Sequence, residues 1–462
     1  MSLLPAIRAE DFAPILGGAG YGEAFLEASE GTSIRFEDSR VEDVGAAAER
    51  GLGLRFLRRE GGAVETYLGS AQSLEAGDAA RLRRGLLGPG EPGAPVQFGP
   101  PASCRRLVLT DPASVPLDAK ISLLRGIDRT LRAEFPRLRQ VSLSYGERRR
   151  ETLILNSEGA VRREERVSLV FSVNVVAQDG AVLQTGREVL GGLRGWELLE
   201  GGQPLRAARA AARRAHEKLS APVAKAGEMP IVISSAAGGT FIHEAIGHSL
   251  EADHVQEGSS PAYKGRLGEA VAPENITVID DPTLPFYRGS FAFDDEGLDA
   301  RPTALVKDGV LCDYLYDRAT ALREGKPSNA HGRRESFQHR PIPRMSNLYI
   351  APGQDDPGEI LRSLKAGLLV TRMGGGQVNT ATGEFVFEVD EGYWVEDGKI
   401  AHMVRDANLL GVGPDILRSI DKVGWDEGWG IGTCGKDGQG VPVADGQPTL
   451  RVPKILIGGR ND

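Results

Sequence analysis

The sequence predicts an α+β protein of two domains, an N-terminal mixed α/β domain over residues 1–222 and a C-terminal β-rich domain over 223–462. Three observations predict it. The chain has 462 residues, too many for one small module at roughly 150 residues per domain. Its first ~200 residues mix helical periodicity with alternating segments, whereas the second half consists mostly of short alternating runs between turn signals. Between the two lies APVAKAGEMP, directly after an Ala/Arg-rich helix, which reads as a crossing near 221–229.

Residues 33–39 (SIRFEDS) and 52–58 (LGLRFLR) read as strands, and a helix is expected over 72–86. In 117–134, Leu117, Ile121, Leu124, Ile127 and Leu131 recur every three or four residues. That spacing puts them on one helix face. Alternating segments follow at 139–145, 150–156, 166–178 and 181–189, with turn signals SEG (157–159) and QDG (178–180) between them. They predict an antiparallel meander. Residues 204–220 form a helix. In the second half strands are expected at 230–234, 276–279, 303–307, 347–350, 367–371, 384–389 and 392–396, and one helix at 239–254.

Hydrophobic residues make up 40% and charged residues 26%, the composition of a globular chain. The net charge of −9 and pI of about 5.5 have the wrong sign for a non-specific nucleic-acid binder, which needs a basic face. No nucleic-acid partner is expected. Three cysteines, Cys104, Cys312 and Cys434, are too few and too scattered for a disulfide framework, so a reducing, cytoplasmic setting is expected. The opening MSLLPAIRAEDFAP lacks a basic segment followed by an apolar one, so no signal peptide is expected. No run approaches 18 apolar residues, so no membrane span is expected.

The sharpest chemical signal is Thr240-Phe-Ile-His-Glu-Ala-Ile-Gly-His248. It holds His243, Glu244 and His248 in an H-E-x-x-x-H pattern. In the better-known H-E-x-x-H pattern two imidazoles at i and i+4 share one helix face and bind zinc. Here the spacing is i, i+5, which turns the second ring about 140° away on a regular helix. A local π-type turn would bring the rings together, and Gly247 tolerates such distortion. Neutral imidazoles suit Zn²⁺, and Glu244 has the chemistry to deprotonate a water whose pKa the metal lowers toward ~7. A catalytic zinc site needs a third protein ligand. Glu251, Asp253, His254, His331, His339, His402 and Cys434 are all chemically able to supply it, with histidine or cysteine favoured. Cys434 stands in the glycine-rich turn GIGTCGKDGQG.

Five blocks, in order, resemble the TldD/PmbA metallopeptidase family, and within it the TldD branch. They are GGTFIHEAIGHSLEADHV (238–255), DDEG (294–297), GRRESFQHRPIPRMSNLYIAPG (332–353), RMGGGQVNTATGEFVFEVDEGYWVEDGKI (372–400) and GTCGKDGQGVPVADGQPTL (432–450). The resemblance implies a zinc-dependent peptidase with His243, His248 and Cys434 as metal ligands and Glu244 as general base. It also implies a dimer, either of two copies or with a TldE/PmbA-like subunit, the branch that lacks the ligands.

Other features are less specific. Arg333 and Arg334 are a candidate anchor for a substrate carboxylate, or else a structural ion pair. His339 is a candidate for stabilising an oxyanion. The run Gly374-Gly375-Gly376 lacks the Lys-Ser/Thr of a phosphate loop; Gly375 is a candidate for close approach of a substrate peptide pairing with a strand edge. Asp294-Asp295-Glu296 reads as a solvated acidic turn, with cation binding as the alternative. The expected function is hydrolysis of unfolded or short peptides inside an enclosed site. The alternatives are a non-catalytic scaffold with structural zinc and a zinc hydrolase acting on a non-peptide amide.

Overall fold

A computed structural model describes residues 2–18, 20–89, 93–379 and 381–459. The first half is built on one seven-stranded sheet. Its strands are β1 (Tyr21–Glu37), β2 (Arg40–Glu60), β3 (Ala63–Ala71), β4 (Ala102–Arg105), β5 (Leu138–Asn156), β6 (Val161–Asp179) and β7 (Val182–Gly192). The order is β3-β2-β1-β5-β6, and both β4 and β7 pair with β6. The β1–β2 hairpin turns on Asp38 and Ser39, both at positive φ, the conformation of a tight two-residue turn whose twist suits the strands.

These strands are longer than their sequence signals. Segments 139–145 and 150–156 are one strand, because the polar GERR between them pairs on both sides: Arg148 stands opposite Gly31 and Arg149 opposite Val167. The expected meander is therefore three strands, β5 to β7. The helix Leu117–Glu134 matches its expected span and buries Leu124, Ile127 and Leu131, while Leu117 stays exposed at its start. It lies against the sheet with the helix Gln203–Lys218. That second helix presses so closely on β7 that a Cβ at Gly186 would stand 2.0 Å from the carbonyl oxygen of Ala211. An alanine-rich face and a strand glycine together permit this approach.

The second half carries two main sheets. In one, Gly227–Ile233, Leu450–Gly458, Ala407–Val412, Glu384–Glu396 and Ala366–Val378 pair in that order, and the last also pairs with both the first and Glu384–Glu396, closing a ring of five. The expected strands 384–389 and 392–396 are thus a single strand. In the other, the hairpin Gly428–Lys436 with Gln439–Gln447 pairs parallel with Asn347–Ile350, which continues to Val278–Asp280 and Thr303–Lys307. The helical segment near 240–257 is wedged between these sheets through Phe241, Ile242, Ala245, Ile246 and Leu250, all buried. Phe241 meets Phe385 edge-on at 5.8 Å.

The halves meet through buried charge. Arg55 on β2 donates to Glu23 on β1 at 2.9 Å and to Glu296 of the second half; Arg334 of the second half donates to Glu23. Among the described residues no helix is long and apolar enough to cross a membrane.

Candidate metal centre

The helix expected at 239–254 is three short pieces: an α-helix Thr240–Ala245, a 3-10 turn Gly247–Leu250 and an α-helix Ala252–Glu257. The π-type turn expected between the histidines is absent from this segment. Instead Ile246 leaves the helical region at φ −125° and ψ −48°, and the chain tightens into the 3-10 turn. Ile246 N–H donates to Ile242 O, and Ser249 N–H donates to Ile246 O. The break turns His248 back toward His243. Gly247 serves a different purpose from the one expected. A Cβ there would stand 2.1 Å from Met345 Sδ and 2.7 Å from a Leu348 methyl carbon, so the glycine lets the segment lie directly on the strand behind it.

The rings of His243 and His248 are 5.2 Å apart and nearly perpendicular. Cys434 Sγ lies 3.4 Å from His248 Nε2. One donor atom from each of the three residues falls within 4.8 Å of the other two. Cys434 comes from Gly428–Lys436, where it stands opposite Val441 in the hairpin.

Each imidazole has one nitrogen already engaged. His243 Nδ1 lies 2.6 Å from Asp445 Oδ1, and His248 Nδ1 lies 2.9 Å from Glu251 Oε2. A carboxylate there accepts the Nδ1 proton and leaves Nε2 as the donor atom, the arrangement metal-binding histidines typically have. Burial would lower the pKa of both imidazoles, but Asp445 raises His243 well above its ordinary value, and Glu251, with Cys434, lifts His248 to about 9. Burial alone would raise the Cys434 thiol; hydrogen bonds and charge from His243 and then His248 bring it down to about 4. The site therefore holds a thiolate. Two oriented imidazoles and one thiolate are a set that suits zinc, so these residues fit the ion.

Glu251, Asp253 and His254 also lie close together. Lys436 Nζ sits among them, 3.1 Å from Glu251 Oε2 and 2.7 Å from Asp253 Oδ1, and donates to Pro343 O as well. A lysine ammonium thus occupies the place a second cation would take. Burial disfavours the Glu251 carboxylate, yet Lys436 and then His248 hold its pKa well below the usual range. Glu244 stands beside the centre, its Oε1 4.0 Å from His243 Nε2, with a third of its side chain accessible.

The remaining candidates are dispersed. Arg334 is buried and paired with Glu23, with its main-chain N–H donated to Asp295; this fills the role of a structural ion pair and leaves no free fork for a substrate carboxylate. Arg333, also buried, donates to the carbonyls of Met345 and Pro442. His339 is half-buried, with Nδ1 2.9 Å from Ser336 Oγ. Gly375 is exposed and has open space where a Cβ would go; Gly376, whose Cβ would run into Phe387, is the glycine required by close approach. Asp294-Asp295-Glu296 is buried rather than solvated: its carboxylates cap a turn, receive Arg334 N–H and pair with Arg55. His331 is buried between Asp280 and Asn329, and His402 is exposed on a strand.

Asp445 and Lys436 are site residues that the sequence reading passed over. Val441, Val443 and Asp445 alternate along one strand, on the face that Cys434 shares. An acid on an otherwise apolar strand face is the signal that would have found it.

Three family models match the chain. "PmbA/TldA metallopeptidase domain 1" covers residues 22–81, the "central domain" 110–219 and the "C-terminal domain" 226–459. A "Metalloprotease TldD homolog" of Haemophilus influenzae is 34% identical over 457 residues, 96% of this chain and 93% of that protein. A "Metalloprotease" of Methanothermobacter thermautotrophicus is 34% identical over 442 residues, 95% of each. A "Zinc metalloprotease TldD homolog" of Saccharolobus solfataricus is 29% identical over 345 residues, 74% of this chain and 76% of that one. Among solved structures, TldE from Thermococcus kodakarensis superposes with a TM-score of 0.72 at 16% identity, over 95% of this chain and 97% of that one. A suspected modulator of DNA gyrase from Thermotoga maritima reaches 0.78 at 21% identity, over 95% and 96%. At these identities the two structures speak for the fold alone.

Proposed function

Because the chain belongs to the PmbA/TldA metallopeptidase family, we propose that it is a zinc-dependent peptidase whose ion is held by His243, His248 and Cys434 and whose proton carrier is Glu244. One observation carries the reading: three donor atoms from a broken helix and a distant hairpin converge within 4.8 Å, with a free carboxylate alongside. Zinc, when bound, polarises a scissile carbonyl and makes a water acidic near neutral pH.

The chain's own residues do the rest. Asp445 and Glu251 fix the tautomer and tilt of the two imidazoles, so little reorganisation is needed when the ion arrives. Glu244 accepts a proton from water at its accessible oxygen and passes it to the leaving amine. Lys436 keeps Glu251 ionised, so His248 keeps its partner. Beyond Val370 the strand Ala366–Val378 keeps its pairing with Glu384–Glu396 but not with Gly227–Ile233, and its other edge, near Gly375, offers main-chain groups to an extended peptide, which suits short or unfolded chains of varied sequence. His339, engaged by Ser336, acts at most by positioning.

The protein works in a reducing, cytoplasmic setting, as a dimer of two copies or with a TldE-like subunit; light scattering of the chain alone and co-expressed with such a subunit separates these. The function is tested by zinc analysis and peptidase assay of wild type beside Glu244→Gln. The reading expects about one zinc per chain in both and cleavage by wild type only. Absence of zinc, or equal turnover by the variant, would overturn it.

A further inference from the structure

A cavity of about 710 Å³ lies between the N-terminal sheet and the second half of the chain. β1, β2, β5 and β6 form one wall; the other comes from residues 288–295, 333–336 and the hairpin that carries Cys434. Thr433 faces this cavity, and the next residue, Cys434, points the opposite way, toward the histidines, as strand alternation requires. The hairpin therefore stands between the cavity and the metal centre.

Several arginines border the cavity, and most are neutralised. Arg148 and Arg150 pair with Glu27 at 3.2 and 2.7 Å, and Arg334 pairs with Glu23. Arg288 and Arg333 differ. Arg333 is only 3% exposed and donates to two carbonyls; Arg288 donates to Gly432 O and to Thr433 Oγ1. Neither is ion-paired among the described residues, and each guanidinium has three of its five N–H groups left over. Burial lowers the pKa of both, Arg333 to about 9. A buried cation without a close counter-charge is costly: Arg333 is offset only at a distance, chiefly by Asp295, Arg288 is half-buried, and Arg150 adds an Nη2 buried with no acceptor. Exposed acids, Glu30 and Glu49, sit on the strands bordering the cavity, and the inner acids Asp295 and Glu335 are taken up by the main-chain N–H groups of Arg334 and Gly440. On the sheet side Gly31, Gly45 and Gly146 leave main chain as the wall.

We propose that this cavity is a second ligand site that takes the C-terminal end of a short peptide, its carboxylate held by Arg288 and Arg333. A guanidinium fork matches a carboxylate in two parallel hydrogen bonds. A glycine-lined sheet face, its own main-chain groups already paired within the sheet, leaves room for an extended backbone, and the volume accommodates a few residues. The choice of a peptide rests on the peptidase reading; the anion site stands on the two arginines alone. Because Arg288 also holds Gly432 and Thr433, a ligand on it bears on the strand that presents Cys434.

Binding of a pentapeptide with a free C-terminus, and of the same peptide amidated, is measured by calorimetry on the zinc-loaded Glu244→Gln protein, which leaves the peptide intact. The free acid is expected to bind at least about tenfold more tightly. Adding Arg288→Gln should erase that preference with zinc content unchanged, and Arg288→Lys should restore part of it. Equal affinity for acid and amide overturns the proposal. So does a preference that survives Arg288→Gln, which would put the carboxylate on the ion. Inorganic phosphate is the control: if it binds through Arg288 while acid and amide bind alike, the site takes a phosphate and not a peptide end. Cleavage by wild type without the acid preference removes this proposal alone; the preference without cleavage removes the peptidase reading alone.

Discussion

His243 Nδ1 and Asp445 Oδ1 are 2.6 Å apart, a buried contact between the helix Thr240–Ala245 and the hairpin strand Gln439–Gln447. The contact fixes which nitrogen of the ring is left for a metal. Asp445→Asn keeps the shape but offers an amide where the carboxylate was, and weakens the ring as a donor. Zinc affinity is expected to fall about 10–100-fold, measured by competition with a chromophoric chelator. Unchanged affinity would mean the pair only fills the core.

Glu244 separates binding from chemistry. Its side chain is partly accessible and lies 4.0 Å from His243 Nε2, beside the donor set but outside it. Glu244→Gln should retain zinc and lose about 10²–10⁴ in kcat, the usual contribution of a positioned acid–base group. Loss of the metal in that variant would instead make Glu244 a ligand.

Zinc uptake should depend on pH in a defined direction. In the metal-free protein His248 titrates near 9, raised from 6.5 chiefly by Glu251 against the opposing effect of burial, while the Cys434 thiol titrates near 4. At neutral pH an imidazolium therefore faces a thiolate, and zinc must displace protons from the imidazoles but none from sulfur. Apparent affinity should rise with pH through about 9, where His248 loses its proton, and level off only once His243, also held well above its ordinary value despite burial, is neutral. Calorimetry in buffers of different ionisation enthalpy should detect proton release at pH 7. The same shift adds stability to the metal-free protein below the ordinary imidazole value, and this is lost as pH rises through about 9. No proton release would mean that the metal-free imidazoles are neutral.

How far the sequence could be read depends on how local the cause was. The 117–134 helix was legible because its period is written in Leu124, Ile127 and Leu131. The candidate donors His243, His248 and Cys434 were named from residue types together with ordered family blocks, and the structure brings the three together. Strand lengths were hidden, since Arg148 and Arg149 stay extended only because β1 and β6 pair on either side. The break at Ile246 was hidden too, as was the packing beside it: Met345 and Leu348, about a hundred residues downstream, lie against Gly247. Whether Arg334 anchors a substrate or makes a structural ion pair was open in the sequence because its partner, Glu23, sits at the other end of the chain.

That packing against Gly247 makes a stability prediction. Alanine there needs no unusual backbone angle, yet its methyl would stand 2.1 Å from Met345 Sδ. Gly247→Ala should cost about 1–3 kcal/mol, the usual penalty of overpacking, and should lower zinc content by displacing His248. Met345→Ala in the same chain opens the space and should recover part of both. Denaturant unfolding with metal analysis measures the pair; failure of the second substitution to rescue would point to a backbone cause.

Arg334 distinguishes a joint from an anchor. Its guanidinium reaches from the second half of the chain to Glu23 on β1, and Glu23 is otherwise held by Arg55 and the Tyr21 hydroxyl. All of these groups are buried. Removing one partner of an isolated buried charge pair typically costs about 3–5 kcal/mol, and with Arg55 still on Glu23 the low end, about 3 kcal/mol, is expected here. Arg334→Met should therefore lower the stability of the whole chain by about that amount in urea unfolding, with KM for short peptides unchanged in the protein that remains folded. Glu23→Gln in the Arg334→Met background removes the orphaned charge and should restore part of the loss. A variant with normal stability and a raised KM would return Arg334 to the substrate.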